Sequence, residues 1–149
     1  KVEKSNFQSG GQLIGRYQPK DYCIETVYKG VGTKLYTDRF YFIKSTVRAL
    51  KGHHFCKTRR HNLTYVILKV EEPTIIYAFG TESLNLELSG WKTYLQLAVP
   101  TDGVLKFDQL YKKKIKPGIY FINHGFNSTV IPVFWNHDHV KLITSGILK

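Results

Sequence analysis

Apolar residues in this sequence fall in short alternating runs broken by Gly, Pro, Asp and Asn, and no window sustains the three- and four-residue spacing of a helix face. That patterning excludes a helical bundle and predicts an all-β chain. The clearest run is Leu84-Asn85-Leu86-Glu87-Leu88, which sets three leucines on one face of a strand and polar groups on the other. After Ser89-Gly90 the alternation resumes from Trp91 to Val99, so the two runs read as a hairpin. Pro100-Thr101-Asp102-Gly103 then reads as a tight turn before Val104 to Leu110.

Further strands are expected at Tyr22 to Lys29, Lys34 to Ile43, Leu63 to Val70, Thr74 to Phe79, Ile119 to Asn123, Thr129 to Trp135 and His139 to Thr144, about ten in all. Pro132 cannot donate to a ladder, so its run is expected at an edge or with a bulge. Ser45 to Lys51 is the best candidate for a short helix, with extension of the preceding strand as an equal alternative. Gly30, Gly32, Gly52, Gly80, Pro117-Gly118 and Gly125 punctuate the strands at the spacing of an antiparallel β-sandwich or jelly roll, with a closed β-barrel as the alternative. A chain of 149 residues with 42% hydrophobic and 14% aromatic content suffices for one well-filled core. Residues 13–149 are assigned to a single β domain. Residues 1–12, which contain Ser9-Gly10-Gly11, read as a flexible N-terminal arm.

The longest apolar runs, such as Ile75 to Phe79, are far shorter than a membrane-spanning helix needs. The chain begins at Lys1 and contains no Met, which suggests a mature form after loss of a leader, or an excised fragment. Cys23 and Cys56 are expected to form one disulfide. Asn62-Leu63-Thr64 and Asn127-Ser128-Thr129 fit N-glycosylation acceptors. Together these features predict a secreted, extracellular glycoprotein.

The net charge of +11 is unevenly spread. Arg39 to Arg60 holds seven basic residues and no acid, and Glu71 to Asp108 holds six acids against two lysines. Two basic foci stand out. The first runs from Lys51 to His61 and includes Lys57, Arg59, Arg60 and His61, with Arg39 upstream. The second is Lys112-Lys113-Lys114 with Lys116, readable as a solvated hairpin tip. Such density favours an anionic partner through counterion release, and in an exported protein an anionic glycan such as heparin or a cell-surface protein ranks above nucleic acid. Single-strand binders interleave aromatics with basic residues; Tyr36, Phe40 and Phe42 flank Arg39 in this way, but Phe40 and Phe42 share a face and are assigned to the core. In the competing reading, the arginines pair with acids of Glu71 to Asp108 within the molecule.

His137-Asp138-His139 has a spacing that some strand-borne metal sites use, with His124 as the third ligand such a site would need. The irregular spacing of His53, His54, Cys56, His61 and Cys23 matches no structural zinc pattern. No metal site and no cofactor are expected. No strained Gly-x-Ser-x-Gly turn accompanies a nucleophile, and no catalytic residue is assigned.

Leu13-Ile14-Gly15-Arg16-Tyr17 resembles the opening Gly-x-Trp segment of the lipocalins, with Tyr in place of Trp. The resemblance covers five residues and implies a barrel that carries a small hydrophobic ligand. Thr37-Asp38 comes too early for that family's second motif, and its closing Arg motif and terminal helix are missing, so membership is not claimed. The function expected is therefore a non-enzymatic binding module with a basic face. The alternatives are a barrel carrier and, third, a metal-dependent enzyme.

Overall fold

The computed structural model of the chain describes residues 2–6, 23–39, 41–60, 64–80, 90–101, 106–126 and 129–147. Within them lie twelve strands: β1 Val2–Asn6, β2 Ile24–Val27, β3 His54–Lys57, β4 Thr64–Val70, β5 Thr74–Gly80, β6 Lys92–Pro100, β7 Lys106–Ile115, β8 Gly118–Asn123, β9 Gly125–Phe126, β10 Thr129–Val130, β11 Val133–Trp135 and β12 Val140–Ile147. The expected helix at Ser45 to Lys51 shrinks to a single 3-10 turn, η1 Arg48–Leu50.

The strands form a four-stranded sheet ordered β1-β8-β4-β12, a six-stranded sheet ordered β2-β3-β11-β5-β7-β6, and the small pair β10-β9. The sheets do not close on each other, so the sandwich expectation stands and the closed-barrel alternative is corrected. All described ladders are antiparallel except β1 with β8. Val2–Asn6, assigned to a flexible arm from the sequence, pairs in parallel register with Ile119–Asn123. Val-Glu-Lys-Ser-Asn has no clear alternation, so nothing in the sequence announced this strand. The run Leu84–Leu88, the Asp102-Gly103 turn and the lipocalin-like Leu13–Tyr17 lie outside the described residues.

The two large sheets pack face to face through Val66, Leu68 and Ile122 of the smaller one and Ile76, Val133 and Trp135 of the larger, all buried. The outer face of the six-stranded sheet carries a second core. Phe55, Phe79, Phe107 and Phe134 are covered there by Tyr28, Leu35, Ile43 and Leu50 from residues 28–50. Directly opposed residues share a sheet face, so β11, with one core on each side, is buried on both faces; on the four-stranded sheet, the outer face of β4 is buried where Tyr65 and Ile67 cluster with Phe121. The covering segment is fastened by hydrogen bonds from Tyr36 Oη to the Val130 carbonyl, 2.7 Å, and from the Lys44 amide to the Pro100 carbonyl, 3.0 Å.

Two expected strands and one expected hairpin tip are corrected. Lys34 to Ile43 is not one strand: Lys34 bridges Phe42, and the chain reverses through Thr37-Asp38-Arg39. Asp38 stabilises that reversal by accepting the Arg60 amide hydrogen bond at 3.0 Å. Thr129 to Trp135 divides into β10 and β11 around Pro132. β11 is central, between β3 and β5, rather than at an edge; Pro132 stands just before its first residue, where no ladder donor is needed. Lys112–Lys114 is not a hairpin tip but the last part of β7, paired with β5 throughout and with β6 at Lys112, and the turn falls at Lys116-Pro117. Cys23 and Cys56 are joined in a disulfide that ties the residue before β2 to β3, with Cα atoms 5.2 Å apart.

Candidate functional site

One row of side chains crosses the outer face of the six-stranded sheet from β2 to β6. Register places Thr26 opposite Phe55, Phe55 opposite Phe134, Phe134 opposite Tyr77, Tyr77 opposite Lys112, and Lys112 opposite Lys92. Its β3 and β11 members are buried phenylalanines beneath residues 28–50, whereas Tyr77 is partly buried and Lys92 is exposed. The covering segment thus seals one part of the face and leaves the β7–β6 part open. The row two residues further along brings Ile75 opposite Lys114, which is also exposed.

Three lysines therefore share an open sheet surface with two tyrosines. Lys112 Nζ lies 4.8 Å from the centre of the Tyr94 ring, and the Tyr94 and Tyr77 rings are 5.8 Å apart. Tyr94 is 41% exposed on the edge strand. The ring quadrupole holds the Lys112 ammonium over the sheet instead of letting it spread into solvent. His53 meets the other side of Tyr77 edge-on at 5.6 Å, and burial lowers its pKa, with the neighbouring His54 and His137 adding to the effect. Burial likewise raises the Tyr77 hydroxyl pKa. Shallow grooves run along both sides of Lys114, one against Pro73, Ile75 and Lys116 and the other against Gly90, Lys92 and Lys112. Lys113 points to the opposite face, and burial lowers its pKa.

The structure divides the first basic focus between two ends of β3. Lys51 is exposed in a tight turn with Gly52, whose φ of 81° suits glycine, beside His53. Arg59 and Arg60 follow the far end of β3, about 20 Å away at the rise of an extended strand. Lys57 lies between and lines a groove with Lys29 and Lys34. The arginines gather around Asp38, one residue before their own acid-free run, and not around Glu71 to Asp108 among the described residues. Arg39 Nη1 and Arg59 Nε approach Asp38 Oδ2 at 3.2 and 3.6 Å. Arg60 Nη1 donates to Tyr41 Oη at 3.0 Å, and its guanidinium sits 5.1 Å from that ring's centre. His61, Asn62 and Asn127 lie outside the described residues.

His124, His137 and His139 do not converge on one site. His124 is buried at the Thr64 end of β4, its Nε2 2.9 Å from Thr64 Oγ1. His139 is at the other end of that strand, where its carbonyl accepts the Glu71 amide, and its Nδ1 lies 2.6 Å from Glu72 Oε2. His137 stacks on His54 at 4.3 Å, and His54 Nδ1 contacts Glu25 at 2.7 Å. Among the described residues no three His, Cys, Asp or Glu side chains are grouped as metal ligands.

Sequence reading singled out Lys112 and Lys114 but not Lys92 and Tyr94, which the register sets beside them. The only sequence cue was a strand of alternating pattern, and its cross-strand register cannot be read from composition. No family model matches the chain, no curated protein shows significant similarity to it, and no solved structure matches its fold at a significant level.

Proposed function

We propose that this protein is a non-enzymatic binding module that holds a sulfated glycan on the open β5–β7–β6 face, with Lys92, Lys112 and Lys114 as its cationic contacts. The observation that carries this reading is the placement of Lys92 directly opposite Lys112. Like charges facing each other across a ladder destabilise it, and a polyanion laid over the face converts that repulsion into attraction. The tyrosines favour a glycan over a single-stranded nucleic acid. A base-stacking platform works best with unoccupied rings, whereas Tyr94 already carries the Lys112 ammonium and Tyr77 packs against His53 and Tyr94. The disulfide between Cys23 and Cys56 suits an extracellular setting, where such glycans are found. A carrier of small hydrophobic ligands has less support, because the sheets are not closed into a barrel and large aromatics fill both cores.

Heparin affinity at two salt concentrations tests the proposal. Replacing Lys92 and Lys112 together by Gln is expected to weaken binding about tenfold at low salt and flatten the salt dependence. Unchanged affinity in a folded variant would refute it. Displacement of heparin by a single-stranded oligonucleotide at much lower concentration would reassign the face to nucleic acid.

A further inference from the structure

The arginines around Asp38 offer a second cationic group on the same outer side of the six-stranded sheet. Asp38 is the only carboxylate that the described side chains of Arg39 and Arg59 meet, so two guanidinium charges converge on one negative charge. Arg59 Nε lies 3.6 Å from Asp38 Oδ2, an ion-pair contact longer than a hydrogen bond, its side chain is 69% exposed, and its two terminal nitrogens make no hydrogen bond among the described residues. That leaves the outer edge of a guanidinium, drawn toward Asp38 by charge, open to a sulfate or carboxylate through two parallel hydrogen bonds. Arg60 is engaged with Tyr41 and its Nε is buried, so it anchors the cluster and does not present itself.

The distance from the lysine row follows from strand geometry. Phe55 stands in the same row as Lys112, three strands away, and Arg59 is four residues beyond Phe55. With strands about 4.8 Å apart and a rise of about 3.3 Å per residue, Arg59 and Lys112 are separated by about 20 Å. Residues 28–50, which contain Asp38 and Arg39, cover the sheet surface between the two groups.

We infer that Arg39 and Arg59 form a second anion-binding site, and that one linear sulfated chain long enough to span both sites is the partner this protein selects. The inference rests on the lysine face being the primary glycan site. Once a chain is held by Lys92, Lys112 and Lys114, its far end meets Arg59 at high effective concentration, so affinity rises steeply at the length that first reaches both sites. Short chains engage the lysine face alone.

Size-fractionated heparin oligosaccharides, titrated by calorimetry into the whole chain, provide the test. Wild-type affinity is expected to step up about tenfold or more once the oligosaccharide exceeds the span. Arg59→Gln should abolish that step while leaving the affinity for short oligosaccharides unchanged. Arg39→Gln gives an independent variant of the same site, and circular dichroism reports folding of both. A smooth rise with length, or a step that persists in folded Arg59→Gln and Arg39→Gln proteins while the Lys92/Lys112 variant still loses binding, overturns the second site and leaves the primary reading in place. Failure of wild-type protein to bind any fraction overturns both.

Discussion

His124 shows how much a single buried side chain can couple this fold to pH. Burial pushes its pKa down to about 4 from 6.5, and a hydrogen bond to the Ile131 backbone opposes the shift less strongly. Between those values the unfolded chain takes up a proton that the folded chain refuses. Stability conferred by neutral His124 is therefore complete above about pH 6.5 and falls as the pH drops toward 4, by about 3 kcal/mol at most. Urea denaturation at pH 7.5, 6 and 4.5 should reveal this decline, and His124→Gln should flatten it, whatever its effect at neutral pH. Gly146 makes an equally local demand of another kind. It faces Tyr65 across the β4–β12 ladder, and an added Cβ would run into the Tyr65 ring and hydroxyl. Gly146→Ala is expected to lower stability by about 1–3 kcal/mol in thermal melts.

Among the elements, the β6–β7 pair is where the proposed binding would oppose stability. Lys92→Glu would replace a like-charge pair with Lys112 by an opposite-charge one, gaining about 0.2–1 kcal/mol across the ladder. The same change should weaken heparin binding. A variant that melts higher yet binds less would locate the lysines' role in recognition; one that melts lower would show that the pair has no such cost. The strands that sequence reading placed well are those whose apolar residues repeat without interruption, such as β4 at Thr64–Val70 and β5 at Thr74–Gly80. β3 escaped it because His-Phe-Cys-Lys lies inside a basic run, where charge masks the buried Phe55 and Cys56. Lys34 to Ile43 misled because its apolar residues pack as a cover over the large sheet, which asks for burial but not for a continuous ladder. The open face was half visible: Lys112–Lys114 stands out in any reading of charge, while its neighbours across the ladder depend on a pairing register set by the whole sheet.

At the scale of the whole molecule, the disulfide closes a long loop of the chain. Cys23 and Cys56 are separated by 33 residues, and that loop contains the entire cover of the outer core. Cross-linking a loop of this length contributes about 3–4 kcal/mol in the chain-entropy model. A Cys23→Ala/Cys56→Ala protein should lose stability of that order in denaturant titrations, and hydrogen exchange should rise first in residues 28–50, where few ladder bonds hold the backbone. Equal protection of the cover in both proteins would refute that role for the cross-link.

The divided outer face of the six-stranded sheet also bears on how such a protein can change over generations. Truncating Phe79 or Phe134 under the cover removes fully buried rings and costs about 3–5 kcal/mol, close to the whole margin of a domain. Exposed Lys92, Lys114 and Tyr94 lie on the same sheet, and substitutions at such positions ordinarily shift stability by about 0.5 kcal/mol or less. Under the proposed function, ligand preference is thus written in residues whose replacement the fold barely registers. On that reading a lineage carrying this scaffold is free to exchange one anionic target for another by surface drift alone, without passing through an unfolded ancestor.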